Sequence, residues 1–238
     1  MVQLAFYERI EALNSEQHQQ LRYQRSDPPH AFARDTGTVP LAGVEIPDAC
    51  RDYPIVFAGP EESLGPVAIL GPGQRNVFVA RNGHWETGVY VPAFVRRYPF
   101  VLAQQEGGED LTVCIDAAYP GLSTEDGEPL FDADGEQTTF LRRTVQFLAE
   151  YNAEVERTKA FTARLQELGL LTRRDMQITG AGGTARLRGL AVPDEEAVDA
   201  LTADQRSQLD ADGHLMWLHA LLISQRNYEK IAVRMEAV

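Results

Sequence analysis

LFDADGEQTTFLRRTVQFLAEYNAEVERTKAFTARLQELG (Leu130–Gly169) divides the chain into two kinds of sequence. It opens on turn chemistry, with Asp134-Gly135 suited to a tight reversal and acids placed before a helix start. From Gln137 to Leu168 it contains neither Gly nor Pro, and Gly169 supplies a C-terminal stop, so the string predicts one long helix. Leu141, Val145, Leu148 and Val155 fall on one face at helical spacing, while Phe161, Leu165 and Leu168 form a second stripe rotated from the first. An apolar face that drifts implies a helix that either kinks near Glu156 or touches two different layers.

Upstream, short runs rich in Val, Ile and Phe are fenced by Gly, Pro, Asn or Asp: Pro54–Phe57, Val67–Leu70, Asn76–Ala80 and Leu111–Asp116. Asn82-Gly83 suits the positive φ of a hairpin turn and pairs Asn76–Ala80 with the run containing Trp85 and Tyr90. Asp126-Gly127 marks another turn, and Pro28-Pro29 and Pro40 make residues 26–47 an extended excursion with little regular structure. Downstream, ARLRGLAVP (Ala185–Pro193) reads as a hairpin or short strand, Asp194 caps a short helix from Glu195 to Leu201, and Thr202 or Asp204 caps the next. Trp217, Leu221, Ser224, Tyr228, Ile231 and Met235 then recur at intervals of four and three along one side of a helix. That seam serves either a homodimer through the C-terminal helix or, more commonly, a helix packed on a sheet. Strands first and helices later predict an α+β fold: a β-rich N-terminal half, with two long and several short helices packed against the sheet. The expected organisation is one domain over 1–238, mostly strands and loops over 1–136 and mostly helical over 137–238.

The 238 residues carry 22 Lys and Arg against 35 Asp and Glu, a net charge of −13. With 44% apolar and 24% charged residues the composition is globular. The negative balance disfavours nucleic acid and anionic membrane surfaces, because both are bound by Lys and Arg. No apolar run approaches a membrane span of about 20 residues, and MVQLAFYERIEALNSEQ has acids where a secretory leader needs a positive region. Cys50 and Cys114 allow one bridge at most, and the chain reads as cytoplasmic and reduced.

GVYVPAFVRRYPF (Gly88–Phe100) places two adjacent arginines among aromatics and prolines. Adjacent residues diverge on either a strand or a helix, so one of Arg96 and Arg97 can pair inward with a carboxylate such as Asp116 while the other faces a ligand. The planar guanidinium fits carboxylate or phosphate, and Trp85, Tyr90 and Tyr98 could wall such a site. The plainer alternative is that the arginines bridge internal acids and the rings are core. FDADGEQT fails as a calcium loop, since Gly135 follows the second Asp directly and position twelve is Arg143. His214 and His219 are five apart and cannot share a metal from one helix. TGAGGTA (Thr179–Ala185) matches a permissive dinucleotide fingerprint but is not followed by the helix that fingerprint needs. GPGQRN (Gly71–Asn76) lacks the Lys-Ser/Thr of a phosphate loop and reads as a turn. Cys114 lies in an apolar strand as an inert residue, and Ser224 on the seam is a packing or capping hydroxyl.

Taken in order, DYPIVF (Asp52–Phe57), NVFVA followed by GHWETGVYVPAFVRRYPF (Gly83–Phe100), VCID (Val113–Asp116), LFDADGEQT (Leu130–Thr138), GLAVPDEEAVDALT (Gly189–Thr202) and GHLMWLHALLISQRNYEKI (Gly213–Ile231) resemble the SapC-like family of bacterial proteins over nearly the whole chain. The resemblance implies a name derived from a surface-layer and serum-resistance gene cluster, and neighbours that include tryptophan-halogenase-like flavoproteins and TonB-dependent receptors. It supplies no catalytic residues, no cofactor and no metal. The expectation is a non-catalytic accessory protein that holds a protein partner, such as a flavin-dependent halogenase-like protein or an uptake system, or a small anionic ligand. Trp85, Tyr90, Arg96, Arg97, Tyr98 and Asp116 are the candidate contact residues. The competing expectations are an enzyme whose metal site is assembled from His84 or His214 with the acids of the Asp132 loop, and a surface-layer-associated protein.

Overall fold

The computed structural model describes residues 5–104, 111–180 and 183–236. Numbered in chain order, its central sheet joins β3 (Thr38–Pro40), β4 (Ile55–Ala58), β5 (Gly65–Ile69), β10 (Leu171–Gly180) and β11 (Gly183–Pro193) in the antiparallel order β10-β11-β4-β5-β3. A second sheet has β1 (Ile10–Ala12), β7 (Leu111–Asp116) and β6 (Phe100–Gln104) in the order β1-β7-β6, and a third has β8 (Leu122–Ser123), β2 (Arg22–Tyr23) and β9 (Glu128–Pro129). The helices are α1 (Ser15–His18), α2 (Ile46–Ala49), α3 (Ala93–Arg96), α4 (Thr139–Glu167), α5 (Glu195–Asp199), α6 (Ala203–Ala211), α7 (His214–Ser224) and α8 (Tyr228–Glu236). The architecture is α+β, with antiparallel sheets and helices packed on them.

DYPIVF supplies the centre of the main core. Ile55, Val56 and Phe57 are each fully buried; since successive strand residues point to opposite faces, both faces of β4 are covered. Each such side chain contributes about 1.5–3 kcal/mol of transfer free energy. The strand's outer backbone groups are met by the C-terminal segment. Ser224 Oγ accepts from Ile55 N at 3.2 Å, and Gln225 Nε2 donates to Ile55 O at 2.7 Å. Asn227 Nδ2 donates to the carbonyls of Cys50 and Tyr53 at 2.7 and 3.0 Å. These contacts orient the seam: Trp217, Leu221, Ser224, Ile231 and Met235 are buried in the chain's own core, and a 3-10 turn at Gln225–Asn227 separates α7 from α8.

α4 runs 29 residues, about 43 Å at 1.5 Å per residue. Thr138 caps it through Leu141 N, and Gly169, at φ 66°, ends it. The drifting face is explained by two cores. Leu141 and Leu148 pack with Phe100, Ile115, Leu130 and Phe131, whereas Tyr151, Phe161 and Leu165 belong to the cluster around the central sheet. Val155 also turns to the second of these.

Other expectations need correction. Asn76–Ala80 forms no strand; its pairing with the Trp85 run is a single bridge, Val79 with Trp85. Asn76 takes the backbone elsewhere, its Oδ1 accepting from Phe78 N and its Nδ2 donating to Ala33 O. Residues 26–47 are more regular than their prolines suggest, since β3 forms the edge of the central sheet, where Pro40 needs no N–H partner. The longest hairpin, β10–β11, lies beyond α4; TGAGGTA forms its tip, Thr179 facing Thr184 and Gly180 facing Gly183, with Ala181 and Gly182 outside the described residues. Cys50 and Cys114 are both free and buried. Among the described residues no helix is long and apolar enough to cross a membrane.

Replacing Asn227 by Ala strips two buried carbonyls of their donor, and we expect it to cost about 1–3 kcal/mol, read as a lowered midpoint in urea unfolding with unchanged m.

Candidate functional site

α3 is a single turn started by Pro92, and it sends its arginines to successive turns of α4. The Arg96 guanidinium lies 5.3 Å from the Phe147 ring centroid and 6.0 Å from Tyr90, while Arg97 lies 4.2 Å from Phe94, 5.1 Å from Tyr151 and 5.9 Å from Tyr7. The two diverge as adjacent residues must, but both grip aromatics of their own fold.

Arg96 closes a small network centred on Glu45, a residue only 4% exposed. One Glu45 carboxylate oxygen accepts from Ala93 N at 2.6 Å and from Tyr90 Oη at 3.0 Å; the other accepts from Ala42 N at 2.8 Å. Arg96 Nη2 reaches Tyr90 Oη at 3.4 Å, and its Nε donates to Val91 O at 3.0 Å. Burial raises the Glu45 carboxyl above its ordinary value, against the pull of the two amides, the Tyr90 hydroxyl and Arg96. Burial likewise pushes Tyr90 up to about 12, with Glu45 adding to it.

The remaining candidates lie apart from this network. Among the described residues no arginine side chain pairs with Asp116. Its carboxylate is fully buried and accepts from Glu8 N, Arg9 N and Ala118 N at 2.9–3.1 Å and from Tyr98 Oη at 3.1 Å. Burial opposes its charge, but these donors prevail and hold the carboxyl below its ordinary value. Tyr98 packs among Phe6, Tyr7, Phe32 and Tyr119. Trp85 is 6% exposed, and its Nε1 donates to Tyr53 Oη at 3.0 Å. The structure thus joins Tyr90 to Arg96 and Tyr98 to Asp116, and it does not gather the six residues on one outward surface.

Arginines do converge elsewhere, where loops meet. An open cleft of about 700 Å³ is lined by Arg34, Arg75 and Arg81 with Gln74 and Asn76, against one carboxylate, Asp35. Each arginine comes from a different loop, and buried polar groups hold the loops together. Asn76, 3% exposed, ties GPGQRN to the 3-10 turn Ala31–Ala33 through Ala33 O, and its N–H donates to Arg34 O at 2.8 Å. Gly37 O accepts from Leu70 N and Gly71 N, and a Cβ on Gly37 would stand 1.9 Å from Gly73 O, so only glycine permits this approach. The Asn82-Gly83 turn, with Gly83 at φ 77°, positions Arg81, and Arg34 Nη2 donates to Arg81 O at 3.1 Å. His30 locks that turn from below: its N–H donates to Gly83 O, and its Nδ1 accepts from Trp85 N at 3.2 Å. The Arg81 guanidinium makes no hydrogen bond to any described residue. A planar donor fork presented this way suits carboxylate or phosphate. Sequence reading passed over the cleft because its arginines are 34, 75 and 81; the available signal was that GPGQRN and the Asn-Gly turn each carry an arginine.

The groups of the competing metal reading are separated in their contacts. His84 is 3.9 Å from Asp27, His214 lies against the rings of Phe161 and Trp217, and Asp132 Oδ1 accepts from Asp134 N and Glu136 N within its own turn. Among the described residues no group of three or more His, Cys, Asp and Glu side chains could hold a metal ion. Burial raises both thiols, Cys50 and Cys114, above their ordinary values.

The family model described as SapC matches residues 13–231 of the chain. No curated protein and no solved structure matches it.

His30 makes the cleft's support sensitive to acid. Burial, then Arg25 and His84, lower its pKa from 6.5 to about 4, so the folded protein holds it neutral where the unfolded chain would protonate it. Stability from this group is full above pH 6.5 and is lost as pH falls towards about 4. Thermal melting from pH 7 to 4 should show His30→Asn losing less of its midpoint than the parent over that window; parallel curves would remove His30 as the cause.

Proposed function

The chain belongs to the SapC family, and we propose that it is a non-catalytic accessory protein of the cytoplasm that holds a small anionic ligand in the cleft of Arg34, Arg75 and Arg81. The observation that carries this reading is that Arg34, Arg75 and Arg81 line one cavity of about 700 Å³ in a chain of net charge −13. In such a chain, exposed arginines that line one cleft are set against the surrounding field, and the Arg81 guanidinium, which makes no hydrogen bond to any described residue, is the group that favours an anion there. Arg96 and Arg97, spent on Glu45, Tyr90 and the α4 rings, serve on this reading as struts.

A second reading, a protein partner of the flavoprotein or uptake kind, is favoured by Met216 and Ile223. Both lie on α7 and are 60% exposed, while the opposite side of that helix is buried.

Calorimetric titration with inorganic phosphate, sulfate and citrate tests the first reading. Saturable binding of at least one is expected, weakening about tenfold or more in Arg34→Ala and in Arg81→Ala, since a charge-assisted hydrogen bond contributes about 1.5–3 kcal/mol, and weakening with added salt. Arg96→Ala should bind as the parent does. Absence of saturable binding for all three anions, or binding indifferent to both cleft variants, defeats the proposal.

A further inference from the structure

The β10–β11 hairpin carries charge of the opposite sign to its chain. Between Leu171 and Pro193 stand Arg173, Arg174, Arg186 and Arg188 against a single acid, Asp175, a net charge of +3 in a chain of −13.

Strand pairing sorts its side chains onto two faces. Met176 lies opposite Leu187 and Ile178 opposite Ala185, with Gln177 opposite Arg186 between them. Neighbouring strand residues point to opposite sides, so the first set shares one face and Gln177, Arg186 and Arg188 share the other. The apolar face is fastened to the fold. Ile178 is buried, Met176 and Leu187 pack against the main core, and Tyr228 Oη of α8 donates to Met176 Sδ at 2.6 Å. On the outer face Gln177, Arg186 and Arg188 are exposed and line one open cavity of about 300 Å³.

The arginines of this face are unspent. Elsewhere Arg157, Arg164 and Arg234 each meet a carboxylate at 2.7 or 2.8 Å. Arg186 and Arg188, and Arg174 on the neighbouring strand, make no hydrogen bond and no ion pair with any described residue. The carboxylate that borders the same cavity is engaged by backbone, Asp175 Oδ1 accepting from Gly189 N at 2.9 Å.

Arg186 and Arg188 are two residues apart on β11, which sets their Cα atoms about 6.6 Å apart. An extended peptide repeats its side chains on one side with the same period, so carboxylates at alternate positions match both guanidinium forks at once. Charge decides the class of partner. A nucleic acid or an anionic membrane covers a wide area and would meet the acid excess of the rest of the chain, whereas a short acidic segment touches the hairpin alone. Two copies of the hairpin repel each other, which sets aside pairing of this surface with itself.

We propose that the outer face of β10–β11 docks an extended acidic segment of a partner protein, with carboxylates two residues apart meeting Arg186 and Arg188. This surface shares no lining residue with the arginine cleft and stands or falls independently of anion binding there.

The probe is a fluorescein-labelled peptide, Gly-Thr-Glu-Val-Glu-Val-Glu-Thr-Gly, titrated with the full chain at low ionic strength and read by fluorescence anisotropy. Saturable binding is expected, weakening about tenfold in Arg186→Gln and in Arg188→Gln and weakening with added salt. Both positions are exposed, so these variants should melt as the parent does. A peptide of the same composition with its glutamates adjacent should bind several-fold more weakly, and the peptide with Gln for every Glu should not bind. Arg143→Gln removes the same charge from an exposed position of α4 and should leave binding unchanged. Absence of saturable binding, indifference to either hairpin variant, equal binding of either control peptide, or an equal loss in Arg143→Gln overturns the proposal. So does tighter binding of a single-stranded oligonucleotide through the same two arginines, which would give the surface to nucleic acid.

Discussion

A carboxylate taken out of water must find donors, and Glu45 finds three, two backbone amides and the Tyr90 hydroxyl. Much of the molecule follows from that requirement. The bond to Ala93 N anchors α3 to the turn that opens α2, and α3 in turn fixes where the two arginines can point. Tyr90 and Arg96 are drawn towards the carboxylate, and Arg97, one residue on, is left to the rings of Phe94 and Tyr151. Within GVYVPAFVRRYPF, Tyr90 and the Ala93 amide are thus committed to one buried carboxylate, with Arg96 beside them.

The same rule builds the arginine cleft by a different route. Buried polar side chains stand in for the ladder bonds that short, interrupted strands do not supply. Asn76 cross-links GPGQRN to the Ala31–Ala33 turn, His30 supports the Asn82-Gly83 turn, and Asn227 closes the start of β4. The loops that carry Arg34, Arg75 and Arg81 are thereby tied to one another by hydrogen bonds instead of by a sheet.

How much of this was legible depended on range. The 29-residue helix, its caps at Thr138 and Gly169, the Asp194 and Thr202 caps and the β4, β5 and β7 strands are local properties, set by periodicity and turn chemistry over a dozen residues. The two-layer reading of α4 was also available, because a drifting stripe is visible in the spacing. Asn76–Ala80 misled because β-propensity carries no information about a side chain that diverts its own backbone. Residues 26–47 misled in the other direction, since prolines exclude a central strand but not an edge one. The sites were the least legible part. Arg34, Arg75 and Arg81 meet only through loop packing, which is a property of the finished fold and not of any segment.

The length of α4 has one more consequence. A rod of 29 residues that seats its first turns in one apolar cluster and its last in another acts as a splint between them. Neither cluster can come apart without unseating a shared backbone, so loosening at the Phe100–Leu130 end is felt at the Phe161–Leu165 end. The chain should accordingly melt as a single cooperative unit even though its hydrophobic contacts divide into separate groups.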